Sequence, residues 1–143
     1  MQELTEKLRV EVLRESYNQG IPLTKTELKE LFSLEGTLLE IGKISDTEVQ
    51  SLKDKHGKIF IIEIQGDAPH KFHYAYLKKP SIEVFGRAFS LVEENKVQAA
   101  QLVLLNTMEA GDPAIKTDVE LFAAAMSPVL RLVPLREGEL LQA

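Results

Sequence analysis

The chain has 143 residues, 44% hydrophobic and 27% charged, with a formal net charge of −5. This length and composition describe a folded domain with a core that needs no staples, and they exclude a disordered chain. The absence of cysteine rules out a disulfide framework, a thiolate zinc site and a cysteine nucleophile, and the longest basic run is Lys78-Lys79, too little clustered charge for a nucleic-acid surface.

"MQELTEKLRV" alternates charged and apolar residues, unlike a signal peptide. Residues 3 to 17 read as a helix with Leu4, Leu8, Val12, Leu13 and Tyr17 at helical spacing. Gly20 and Pro22 punctuate its end. Thr24 to Glu27 then form a capping box for a second helix, with Leu28, Leu31 and Phe32 on its apolar face and Gly36 closing it. "TLLEIGKI", 37 to 44, reads as a short strand or an extended link. Ser45 to Glu48 form another capping box, opening a helix that holds Val49 and Leu52 and stops at "KHG".

"KIFIIEI" and "KFHYAYLK" are β-branched and aromatic runs separated by "QGDAPH", which predicts a hairpin. Phe60, Ile62 and Ile64 share one face of the first strand, and Phe72, Tyr74 and Tyr76 one face of the second. The opposite faces carry Ile59, Ile61, Ala75 and Leu77, so both sides call for cover. A lone hairpin is marginal in water, so a third strand is expected, from "TLLEI" or from "LRLVPL".

After Pro80 the apolar period changes from two to 3.6. Ile82, Phe85, Phe89 and Val92 predict one helical stripe, and Ala100, Leu104 and Met108 a second on a helix from 97 to 108. A third helix is expected from Asp118 to Met126, with Leu121, Phe122, Ala125 and Met126 turned inward and Pro128 ending or kinking it. The segments "AAQLVLL" and "LFAAAM" are apolar on more than one side, so they are buried or meet another chain. None approaches the ~20 apolar residues of a membrane span. A cytoplasmic protein is the expectation.

The acidic residues Glu109, Asp112, Asp118 and Glu120, with Glu94 further back, resemble a site. A calcium loop fails on spacing, because Pro113, Ala114 and Ile115 follow Asp112. The segment fits a helix stop at Met108 and Gly111, a turn at Asp112-Pro113 and a capping box from Thr117 to Glu120. His70 and His73 are three apart at a turn and on a strand, and a zinc site needs a third and usually a fourth ligand, for which Asp67 is the only nearby candidate. They read as a solvated turn histidine and a strand-surface histidine. No Gly-x-Ser-x-Gly elbow, Gly-x-Gly-x-x-Gly or Walker loop is present.

The order of segments from Ser45 onward resembles that of phage tail assembly chaperones. The likeness lies in "SDTEVQSLKDKHGKIFIIEI", "YAYLKKPSIEVFGRAF", "KVQAAQLVLLNTMEAGD" and "IKTDVELFAAA". In that family the segment before Gly-Asp reads as an asparagine and an aromatic or apolar pair, matched in outline by Asn106, Gly111 and Asp112. The resemblance implies a non-catalytic holdase for the long helical tape-measure protein, which helps bring tail-tube subunits to it. It supplies no active-site residue.

The sequence thus predicts one α+β domain: a helical N-terminal extension over 1–44, a helix plus β-hairpin (a small antiparallel sheet) over 45–78, and a three-helix segment with a tail over 79–143. The expected partner is another polypeptide, of tape-measure or tail-tube type, or a further copy of this chain. Contacts are assigned to Phe85, Phe89, Leu104, Leu121, Phe122 and Met126. No cofactor, metal, nucleic acid or membrane is expected. The alternatives are a virion or tail structural subunit, and a small enzyme using the 109–120 loop or the His70/His73 pair.

Overall fold

Helix α1 (Gln2–Asn18) turns at Gly20 into α2 (Lys25–Leu34), which opens with the capping box expected from its sequence: Thr24 Oγ1 accepts from the Glu27 amide, and the Glu27 carboxylate accepts from the Thr24 amide. In the computed structural model, residues 2–133 and 140–142 are described. The chain divides into two compact units, residues 1–41 with 65–73 and residues 42–64 with 74–143.

The first unit is built on α1, α2 and strand β1 (Leu39–Ile41). Leu13, Leu31 and Phe32 form its core, with Val10, Tyr17, Leu23, Leu28 and Leu38 packed around them. The Tyr17 and Phe32 rings meet edge to face at 6.1 Å. The inner face of α1 is therefore Val10, Leu13 and Tyr17, while Leu4, Leu8 and Val12 of the expected stripe lie at the surface. A 17-residue helix is about 25 Å long and a 10-residue one about 15 Å, so α2 covers only part of α1. Arg9 pairs with Glu30 and Arg14 with Glu35 across the two helices. β1 runs parallel to the start of β3 (Lys71–Lys78), with Leu39, Glu40 and Ile41 opposite Lys71, Phe72 and His73.

The second unit opens with α3 (Asp46–His56), again with its predicted box between Ser45 and Glu48. Strand β2 (Ile59–Gln65) neighbours β3. A five-residue loop joins them, which only an antiparallel pair allows, so the hairpin stands. Helices α4 (Ile82–Leu91) and α5 (Lys96–Thr107) follow, then strand β4 (Met108–Gly111), the short α6 (Ala114–Thr117) and α7 (Val119–Leu130). The whole is α+β, with four strands in a mixed sheet and a helical C-terminal half.

β3 is buried from Phe72 through Leu77, as expected of a strand with two covered faces. On one side Ala75 and Leu77 join Ile62 and Ile64 in the core of the second unit, which α4, α5, α6 and α7 complete with Ala88, Val103, Leu104, Ile115, Ala125 and Val129. On the other, the Tyr74 hydroxyl donates to Glu63 at 2.6 Å, Lys43 Nζ lies over the Tyr74 ring, and the Tyr76 hydroxyl accepts from the Ile44 amide.

Several local readings change. The third strand is indeed drawn from "TLLEI", but it is parallel, because α3 and β2 intervene between β1 and β3. In "LRLVPL", Leu130 ends α7 and residues 131–133 turn, while Pro134 and Leu135 lie outside the described residues. Met108 caps the end of α5, as expected, but the chain then runs into a strand that was not expected, β4, which begins at Met108 and pairs antiparallel with β3. On α4, Ala88 is buried and Val84 and Phe85 pack on the core, whereas Ile82 is 89% exposed and Phe89 52%. Helix α7 continues through Pro128 for two more residues. The imino nitrogen of Pro128 forgoes a single bond one turn from the helix end, where packing of Val129 holds the turn.

Candidate functional site

Helix α7 carries apolar residues on more than one face, and the fold shows where they go. Ala125 and Val129 face inward and are buried. Leu121, Phe122 and Met126 are half-buried and pack on the rim of the core. Val119, at the start of the helix, is 82% exposed. Along this flank run two clefts that share Ala123 and Met126. One, of about 340 Å³, lies between α7 and α5 and is lined by Val97, Gln101, Val119 and Phe122, with Lys116, Thr117 and Asp118 at its mouth. The other, of about 690 Å³, is lined by Val92, Leu130 and Val133, with Lys96 and Arg131 at its edge. A third hollow, of about 240 Å³, gathers Pro80, Ile82, Phe85 and Leu132.

The six residues assigned from sequence as partner contacts fall into three groups. Phe122 and Met126 line the α7 clefts, and Leu121 packs beside them on the core. Phe85 lines the hollow behind Pro80, and its ring stacks at a tilt on Phe89, 5.8 Å away. Leu104 is 1% exposed inside the core and is closed to a partner, because the inward face of α5 is Ala100, Val103, Leu104 and Thr107. Sequence reasoning passed over Val97, Val119 and Ala123, which complete the cleft. Their signal was present: each adds an apolar position to a helix whose core face was already filled.

The acidic segment resolves into separate structural duties. Asp112 is buried, its amide donates to the Tyr74 carbonyl, and its Oδ1 accepts from the Ala114 amide to hold the turn. Asp118, rather than Thr117, caps α7, accepting from the Leu121 amide at 3.0 Å. The expected box at Thr117 is displaced by one residue because Ala114–Thr117 form their own helical turn. Gly111 takes φ +121°, in a strand and not at a helix end. Glu120 lies at the surface.

Glu109 has the duty that sequence could not assign. On β3 the step from Tyr76 to Leu77 is matched on β4 by the step from Ala110 to Met108, so Glu109 is the extra residue of a β-bulge. The bulge aims its side chain at the ends of two other elements. Its Oε1 lies 3.0 Å from Lys78 Nζ and its Oε2 3.5 Å from His56 Nε2. The hydrogen bond from Lys78 holds the Glu109 carboxyl below the usual carboxylate range, against partial burial, with the charges of Lys78, His56 and Lys55 adding to the effect.

The two histidines lie in different surroundings. His70 is half-buried with its ring edge to Phe32 at 6.1 Å. His73 is buried against Gly66, not on the strand surface as expected, because β3 is covered on both faces. Among the described residues no group of three or more metal-ligating side chains comes together, and no helix is long and apolar enough to cross a membrane.

No family model matches the chain, and no curated protein matches it. The chain is similar to a solved structure of an uncharacterised protein from Bacillus stearothermophilus, with a TM-score of 0.41 and 19% identity over 66% of this chain and 99% of that one.

Proposed function

We propose that this chain is a non-catalytic polypeptide-binding protein of the tail assembly chaperone type, and that its partner is a long helical protein of the tape-measure kind. The observation that supports this reading is the apolar flank of α7. A 12-residue helix runs for about 18 Å, and the clefts beside it are lined by Val92, Val97, Val119, Phe122, Met126 and Leu130. Apolar grooves along a helix take the apolar face of an amphipathic partner helix, which anchors at i, i+3, i+4 and i+7. Lys96, Lys116 and Arg131 at the edges suit acidic residues on the partner's flanks. The segment order from Ser45 to "IKTDVELFAAA", which includes α7, adds the likeness to that family.

The test is co-expression of the chain with a tape-measure polypeptide, scored by its recovery in the soluble fraction and by pull-down. The chain is expected to hold the partner in solution. Val119→Glu and Ala123→Glu, both at exposed positions in the cleft, are expected to lose it with unchanged thermal melting. A partner that stays insoluble with the unaltered chain sinks the proposal.

A further inference from the structure

A further cavity lies away from α7, where the end of α3, the end of β3 and the start of α4 converge. It has a volume of about 490 Å³ and is lined by Lys55, His56, Lys78, Lys79, Ser81 and Asn106, with Val84 beneath. That is the size of a small-ligand site, but its lining is polar and cationic. Three lysines and a histidine line it in a chain whose net charge is −5, and Glu109, outside the lining, contacts two of them, Lys78 and His56.

The pairing inside this cluster is incomplete. Glu109 occupies Lys78 through Oε1. His56 Nε2 is removed from solvent and makes no hydrogen bond; its contact with Glu109 Oε2, at 3.5 Å, is a long one that leaves its hydrogen-bonding capacity unmet. A buried donor or acceptor left without a partner is destabilising, so a group that supplies one is favoured here. Lys55 and Lys79 make no ion pair among the described residues, and both are exposed at the mouth. The 10-residue helix α4 begins at the same place, its first turn capped by Ser81, whose Oγ accepts from the Val84 amide. The positive end of its dipole adds to the lysines.

We propose that this cavity binds a small multivalent oxyanion, a phosphate ester or a polycarboxylate. Lys55 and Lys79 make the first charge contacts at the mouth. The anion then competes with Glu109 for Lys78, so Glu109 acts as an internal stand-in that sets the affinity. Like-charged occupants cannot share one lysine without repulsion, so an anion held by Lys78 weakens the Glu109 contact. The reading is independent of the α7 clefts, which share no residue with this cavity.

The experiment is calorimetric titration of the full chain with pyrophosphate and with citrate at low ionic strength, repeated by following the His56 ring resonances. Binding is expected to weaken with added salt. Lys55→Ala and Lys79→Ala should each weaken it by roughly fivefold or more, and Glu109→Gln should tighten it by a similar factor. Preference for pyrophosphate identifies a phosphate-bearing ligand, and preference for citrate a polycarboxylate. Melting curves accompany each variant, and the two lysines are exposed, so loss of fold is separable from loss of binding. The proposal is overturned if neither anion binds at millimolar concentration, if the Lys55→Ala/Lys79→Ala double variant binds as well as the unaltered chain, or if Glu109→Gln binds no more tightly.

Discussion

The carbonyl oxygen of Tyr74 accepts the amide hydrogen of Asp112 at 2.8 Å, and a Cβ on Gly111 would fall 2.3 Å from that same oxygen. The backbone of β4 can lie this close to β3 only because residue 111 is glycine at φ +121°. Gly111→Ala is therefore expected to destabilise the fold by at least about 2 kcal/mol. Gly86 is the control. It sits in α4, and a Cβ there would meet nothing within 4 Å, so Gly86→Ala should stabilise by about 0.5–1 kcal/mol. Urea denaturation of the two variants should move in opposite directions.

The inward face of the helical half is tested by a contrast between two large apolar residues. Leu104 is in the core, so Leu104→Ala should cost about 2–5 kcal/mol. Phe89 is half exposed and stacks on Phe85, so Phe89→Ala should cost under about 1 kcal/mol. Equal costs would mean that the α4 face is assigned wrongly.

The start of α7 gives a one-residue test of register. Asp118→Ala removes the acceptor of the Leu121 amide and should cost about 0.5–2 kcal/mol. Thr117→Ala, at an exposed position one residue earlier, should change stability by less than about 0.5 kcal/mol. A larger effect at Thr117 would restore the capping box expected from sequence.

Glu109 should make stability depend on pH. Its carboxyl is depressed in the folded state, chiefly by the hydrogen bond from Lys78. A depressed carboxyl stabilises the fold above its unfolded value, about 4.3, and that stabilisation is lost as pH falls through the lower folded value. The unaltered chain should exceed Glu109→Gln by about 0.5–1 kcal/mol at neutral pH, a modest figure because the pair is partly exposed. The gap should hold to mildly acidic pH and close in strong acid. Denaturation at a series of pH values measures it, and a gap that survives in strong acid would mean that packing, not charge, is responsible.

The local signals in the sequence carried most of the elements. Thr24–Glu27 and Ser45–Glu48 are short-range patterns and appear as read, because a cap is satisfied by its own next turn. The alternation in "KFHYAYLK" placed β3 and told that both faces were covered. β4 was not legible: "MEAG" has no β-branched residue and pairs only because Gly111 lets it approach β3. The face of α4 was misjudged because Ala88, a small residue, carries the buried contact while the larger Ile82 and Phe89 stay outside. The cleft beside α7 was half legible: Phe122 and Met126 stood out by size, whereas Val97 and Val119 belong to it only through the turn of α6. The Glu109 cluster could not be read at all, since it joins residues 56, 78 and 109 through a bulge.

The parallel pairing of β1 with residues 71–73 has a consequence for synthesis. Leu39–Ile41 leave the ribosome some thirty residues before Lys71–His73, and all of α3 and β2 emerges between them. The α1–α2 pair can form early from local contacts, but its strand has no partner until the hairpin is made. During that interval the edge of β1 is open to any other extended chain. The strand of residues 39–41 therefore completes its pairing late, and a chain arrested before residue 71 would display it unpaired.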